Sequence, residues 1–120
     1  MATEIWLTDG VARVTAQGAV QALIQAVDVS KYDQADLLLW VNGVEGTATN
    51  FVVSIITGMS TDSEDGWVTI SSFTNIPAAN ATSFEKKNFP QLLKYLRWKV
   101  TGFTGPTAVS FTIRGMLRNN

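Results

Sequence analysis

The sequence predicts an all-β fold: one antiparallel β-sandwich domain of jelly-roll type, seven or eight strands, spanning residues 1–120. Three observations carry the prediction. The C-terminal third alternates, with Leu96, Trp98 and Val100 set against Tyr95, Arg97, Lys99 and Thr101. A second run sets Val109, Phe111, Ile113 and Leu117 against Ser110, Thr112, Arg114 and Met116. Period-two alternation is the mark of half-buried strands. Turn signals recur between short apolar runs, and no long amphipathic helix interrupts them.

Ile5 to Leu7 is a short entry strand, ended by Thr8-Asp9-Gly10. Val11 to Thr15 is the next, stopping near Gln17-Gly18. Ala19 to Ser30 fits both helical and strand spacing; the β-branched Val27 and Val29 and the lack of a helix stop favour strand. Asp36 to Val41 is almost continuously apolar, which suggests a strand covered on both faces. Asn42-Gly43 and Glu45-Gly46 read as turns. Phe51 to Thr57 is a further apolar strand. Met59 to Gly66 is a polar loop, and Trp67 to Phe73 a strand. Residues 75–82 read as a loop; the glycosylation sequon at Asn80-Ala81-Thr82 has no meaning without a secretion signal. Ser83 to Phe89 is a short edge strand, blunted by Lys86, Lys87 and Pro90. Pro90 to Leu93 is a turn. The two alternating runs then form a hairpin joined by Gly102 to Thr107.

The 120 residues suffice for a core without a disulfide or metal staple. There is no cysteine and no histidine. Thiolate metal sites, serine triads and histidine-ligated metals are therefore excluded. The N-terminus lacks the pattern of a signal peptide, and the longest apolar run is far short of a membrane span. The expectation is a soluble product of the cytoplasm with no membrane partner.

The acidic cluster Asp62-Ser63-Glu64-Asp65-Gly66 departs from a calcium loop and reads as a solvated hairpin turn. The other carboxylates sit in no recognisable motif. No enzyme, metal or cofactor is expected.

The net charge of −1 hides a split. Residues 1–65 hold nine of the ten acids, whereas Lys86 to Asn120 holds seven bases and no acid. If the last two runs pair, Arg97, Lys99 and Arg114 share an outer face. That face is either a solvated surface or a patch for an acidic partner. Nucleic acid is not expected, because the overall charge is too low. Of the four tryptophans, Trp40 and Trp98 fall among aliphatics and are expected in the core. Trp6 and Trp67 lie near strand starts and are candidates for partner contact, with Trp67 the better candidate for a sugar platform.

The segment Tyr95-Leu96-Arg97-Trp98-Lys99-Val100, with Gly102 and Ser110-Phe111-Thr112-Ile113 beyond it, resembles small β-sandwich decoration proteins of tailed bacteriophages. Asp65-Gly66-Trp67-Val68-Thr69-Ile70-Ser71-Ser72-Phe73-Thr74 extends the resemblance to roughly residues 60–117. It implies a virion protein, made in the host cytoplasm, that cements the outside of the capsid. Its partners would be the major capsid protein and copies of itself, in a homo-oligomer such as a trimer. Phe51 to Ile56 also motivates a homo-oligomer: both its faces are largely apolar, and a two-layer sandwich covers only one, so a loop, the N-terminal segment or a neighbouring subunit is expected over the other. The alternative is a carbohydrate- or receptor-binding module of a phage tail or an enzyme.

Overall fold

The computed structural model describes residues 2–8, 10–74 and 83–119. The expected loop over 75–82 and its sequon lie outside the described residues, as does Asp9 of the first turn. The strands are β1 (Ala2–Trp6), β2 (Ala12–Val14), β3 (Val27–Asp28), β4 (Gln34–Gly58), β5 (Val68–Ser72), β6 (Ser83–Pro90) and β7 (Tyr95–Arg118). The one described helical turn is a 3-10 turn at Leu23–Gln25.

The architecture is an all-β antiparallel sandwich built from one bent ribbon. Strands β4 and β7 pair along their whole lengths, from Gln34 opposite Arg118 to Gly58 opposite Tyr95. The register shifts at Val41/Gly43, Glu45/Gly46, Gly46/Asn50 and Val52/Val53. Bulges add twist and bend a ribbon, and here they let its two halves fold onto each other. The front sheet holds β1, the C-terminal half of β7, the N-terminal half of β4, and β6. The back sheet holds β3, the N-terminal half of β7, the C-terminal half of β4, and β5. The N-terminal thirty residues run antiparallel along β7, touching it at β1, β2, the Val20 bridge to Lys99, and β3.

Four sequence expectations change. Asn42-Gly43 is a bulge within β4 and Glu45-Gly46 lies opposite a bulge at Thr107 of β7, so neither is a turn between strands. Gly46 takes the positive φ of 87° that the bend requires. The two C-terminal runs do not pair with each other; they are the two ends of β7, because β4 offers a partner to both. Ala19 to Ser30 is neither a regular strand nor a helix, since it bridges β7 at Val20, turns at Leu23–Gln25 and rejoins at β3. Asp36 to Val41 is covered on one face only: Leu37, Leu39 and Val41 point inward, while Leu38 and Trp40 point out.

The core lies between the sheets. Phe111 packs edge-on to Trp98 at 5.1 Å and beside Phe51 at 5.9 Å, and Phe73 meets Phe89 at 5.1 Å. Leu96, Val100, Val109, Ile113 and Leu117 are buried with them, so the facing read from the alternation holds. The open side between edge strands β5 and β6 is closed by polar groups: Lys87 Nζ donates to the Ser72 carbonyl at 2.6 Å, and Glu85 accepts from the Thr74 amide and hydroxyl.

Phe111 is 0% exposed and contacts two aromatics of the opposite sheet. Phe111→Ala should therefore cost about 3–5 kcal/mol, as for other buried aromatic truncations. Chemical denaturation gives the check; a loss below about 1 kcal/mol would contradict this packing.

Candidate functional site

Outward side chains of β7 emerge on opposite sides of the molecule, because its two halves lie in opposed sheets. Lys99 is exposed on the back sheet and Arg114 on the front sheet. The three cations therefore share no patch. Arg97 faces outward from the back sheet yet is 0% exposed.

What covers Arg97 is the acidic loop. Its Nη1 and Nη2 donate to the two Glu64 carboxylate oxygens at 2.9 and 3.0 Å. Its Nε and Nη2 donate to the Gln21 carbonyl at 2.8 and 2.6 Å. The Trp67 ring stacks on the guanidinium at 4.6 Å. A planar fork suits such bidentate pairing in a way that a lysine does not. Gln21 closes the arrangement: its side-chain amide donates to the Leu7 and Gln25 carbonyls, and its side-chain oxygen accepts from the Trp98 amide.

The indole has its own seat. A Cβ on Gly58 would lie 2.7 Å from Trp67 Cδ2, so only glycine lets the ring rest on the strand there. Trp67 Nε1 donates to the Ser63 carbonyl at 3.1 Å, fixing the ring from the loop side. The cluster Asp62 to Gly66 is thus anchored through Glu64 rather than freely solvated. On the outer face of Phe51 to Ile56, Ser54 and Ile56 are buried and Val52 is half-buried, with Ser54 bonded to the Ser72 and Thr101 hydroxyls of the flanking strands. Two of the three outward residues of that strand, Ser54 and Ile56, are thus covered within one chain.

Beside Trp67 lies an open groove of about 510 Å³, lined by Val20, Glu64, Trp67, Thr69, Lys99 and Thr101. A row of hydroxyls leads into it: Ser54 bonds both Ser72 at 2.6 Å and Thr101 at 2.8 Å.

The front sheet presents a different surface. Register places Trp6, Arg114, Leu38 and Lys86 in one row, and Thr112, Trp40 and Phe84 in the next. Trp6 is 49%, Trp40 39% and Phe84 64% exposed. The expected core position of Trp40 is therefore corrected. Its inward neighbours Leu39 and Val41 take the core, and alternation sends Trp40 out. Sequence hydrophobicity missed this pair; the strict alternation of Leu37, Leu39 and Val41 was the signal available. Trp40 and Phe84 stack at 5.3 Å with planes 17° apart. That distance is close to the spacing of neighbouring strands, so the rings stand side by side and offer edges. Trp6 carries Arg114 over its ring at 5.2 Å.

Several of the described carboxylates are engaged structurally. Asp36 pairs with Arg118, Glu45 with Arg13, and Asp28 accepts from the Ser30 amide. Among the described residues no three acidic, histidine or cysteine side chains cluster to hold a metal.

No protein-family model matches the chain, and no curated protein sequence matches it. Solved structures with a similar course include the SPBc2 prophage-derived protein YomS, at 14% identity and a TM-score of 0.47 over 98% of this chain and 92% of that one. A cleaved adhesin domain of Lys-gingipain from Porphyromonas gingivalis aligns at 8% identity and a TM-score of 0.47, covering 100% and 99% of the two chains. A carbohydrate-binding module specific for non-crystalline cellulose aligns at 10% identity and a TM-score of 0.41, covering 98% and 72%. Likeness this remote carries no functional information.

Hydrogen bonds from Arg97 hold the Glu64 carboxyl below its ordinary 4.5, against an opposing effect of desolvation. A depressed folded-state value means that Glu64 adds stability above about pH 4.5 and loses it as the pH falls through the folded value. Glu64→Gln should therefore flatten part of the acid limb of a stability–pH profile. A profile unchanged by that substitution would contradict the pairing. Arg97→Ala should cost about 2–4 kcal/mol, since it leaves the Gln21 carbonyl unsatisfied and Trp67 unsupported. Urea melts at neutral pH provide the measurement, and Arg97→Lys should recover only part of the loss.

Proposed function

We propose that the chain is a non-catalytic binding module that attaches by the outer face of its front sheet to another protein surface. The observation that carries this reading is the group of exposed apolar side chains on that face, Trp6, Trp40, Phe84 and Met116, with half-buried Leu38 among them on neighbouring rows of the sheet. A monomer has no use for stacked aromatics in water, and contiguous exposed apolar patches mark interaction sites. Aromatics, methionine and arginine are the residues enriched at protein interfaces, and Arg114 stands among these. Rings presented by their edges suit interdigitation with a protein better than the flat stacking that a sugar ring needs. The resemblance of residues 60–117 to phage decoration proteins supplies the setting: the exterior of a virion, with the major capsid protein as partner and no cofactor required.

The test is co-sedimentation with virions of the phage whose genome encodes the chain. Wild-type protein should be recovered with intact particles. The Trp40→Ser, Phe84→Ser double variant should fold with stability changed by no more than about 1 kcal/mol, as for surface substitutions, yet stay in the supernatant. Because the contact is mainly apolar, raising salt should weaken attachment only slightly. Wild-type protein that never sediments with particles would sink the reading.

A further inference from the structure

We propose that the groove beside Trp67, on the back sheet, binds a saccharide. This site is separate from the front-sheet attachment face and stands independently of it. If the front sheet meets a particle, the groove faces away from that particle.

The argument starts from preorganisation. Trp67 is held by the Gly58 seat, the Arg97 stack and the Ser63 carbonyl before any ligand arrives. An immobilised aromatic binds without losing rotamer freedom, which is a main cost of recognition. The ring is only half-buried and lines the groove. Around it stand the hydroxyls of Thr69 and Thr101, the Lys99 ammonium and the Glu64 carboxylate. Hydroxyl groups both donate and accept, lysine donates and carboxylate accepts. A ligand that matches this set has many hydroxyls of its own and an apolar C–H face to set against the indole. That is the chemistry of a sugar ring.

Other ligand classes fit less well. The groove is open and mixed in polarity, so it does not enclose a lipid tail. Lys99 is the one cation lining it, and Glu64 stands beside it. That balance does not favour phosphate or nucleic acid, whose affinity comes from several cations. At about 510 Å³ the groove lies within the range of small-molecule sites, roughly 300–1,000 Å³.

The experiment is a glycan array carrying neutral hexose, N-acetylhexosamine and uronic-acid oligosaccharides, followed by calorimetric titration of the free oligosaccharides that bind. Trp67→Ala is a poor probe, since it uncovers Arg97 and risks unfolding the loop. Thr69→Val combined with Lys99→Ala leaves the Arg97 cluster intact, and it should weaken binding at least tenfold at unchanged thermal stability. Trp40→Ser on the front sheet should leave glycan affinity unchanged while abolishing attachment to particles. An array without signal overturns the proposal. So does binding that the Thr69, Lys99 variant retains in full, or binding that Trp40→Ser removes. Particle attachment is unaffected by any of these failures, so the two readings stand or fall separately.

Discussion

A guanidinium with no exposed surface constrains everything around it. Leaving a buried charge unsatisfied costs several kcal/mol, so Arg97 dictates what must gather there. Four hydrogen bonds come from three of its nitrogens. Two end on the N-terminal segment and two on the acidic loop, which joins regions 33 and 76 residues distant in sequence. Glu64 itself is 62% exposed on its side chain, so the pair is one-sided: the carboxylate sits near water and the guanidinium does not. Desolvation therefore falls mainly on arginine, which is the more weakly hydrated cation and the better suited to bear it.

This fixed point explains how an irregular first thirty residues hold their place. Strands β2 and β3 have three and two residues, too short to be secured by ladder bonds alone. Between them the Gln21 carbonyl is held by Arg97, and the Gln21 side chain ties Leu7, Gln25 and Trp98 together. The long β4–β7 ribbon supplies the frame, and the arginine fastens the N-terminal segment to it.

Much of the fold was legible because alternation is local. Leu96, Trp98 and Val100, and later Val109, Phe111 and Ile113, each report their face through immediate neighbours. The class of fold and the inward sets followed from that. What stayed hidden depended on distant partners. Arg97 looked like one of a row of outward cations; nothing nearby in sequence reveals that Glu64 and Trp67 come back to cover it. Asn42-Gly43 and Gly102 to Thr107 looked like chain reversals, since glycine marks bulges and turns alike. Only the continuing partner strand decides between them. Of the candidate site residues, Trp6 and Arg114 meet as a stacked pair and Trp67 and Lys99 line one groove, but nothing local in the chain reveals that these pairs lie on opposite sheets.

The edges of the front sheet bear on how a partner would approach. A bare edge strand invites another strand to add to it. β6 resists this: Pro90 lacks an amide donor, Lys86 points outward, and Lys87 turns inward to bond Ser72 across the gap between the sheets. Strand addition at β6 would place an incoming backbone beside these charges. The aromatic pair lies instead on the flat of the same sheet, with Phe84 on β6 and Trp40 on β4. The charges that discourage edge pairing thus stand beside the exposed aromatic pair of the front sheet. A partner docking as proposed would meet the face, where side chains interdigitate, rather than the edge, where backbones would pair. Attachment of that kind leaves the β-ladder of each partner intact, which is what an accessory subunit needs if it is to be added to a structure already folded.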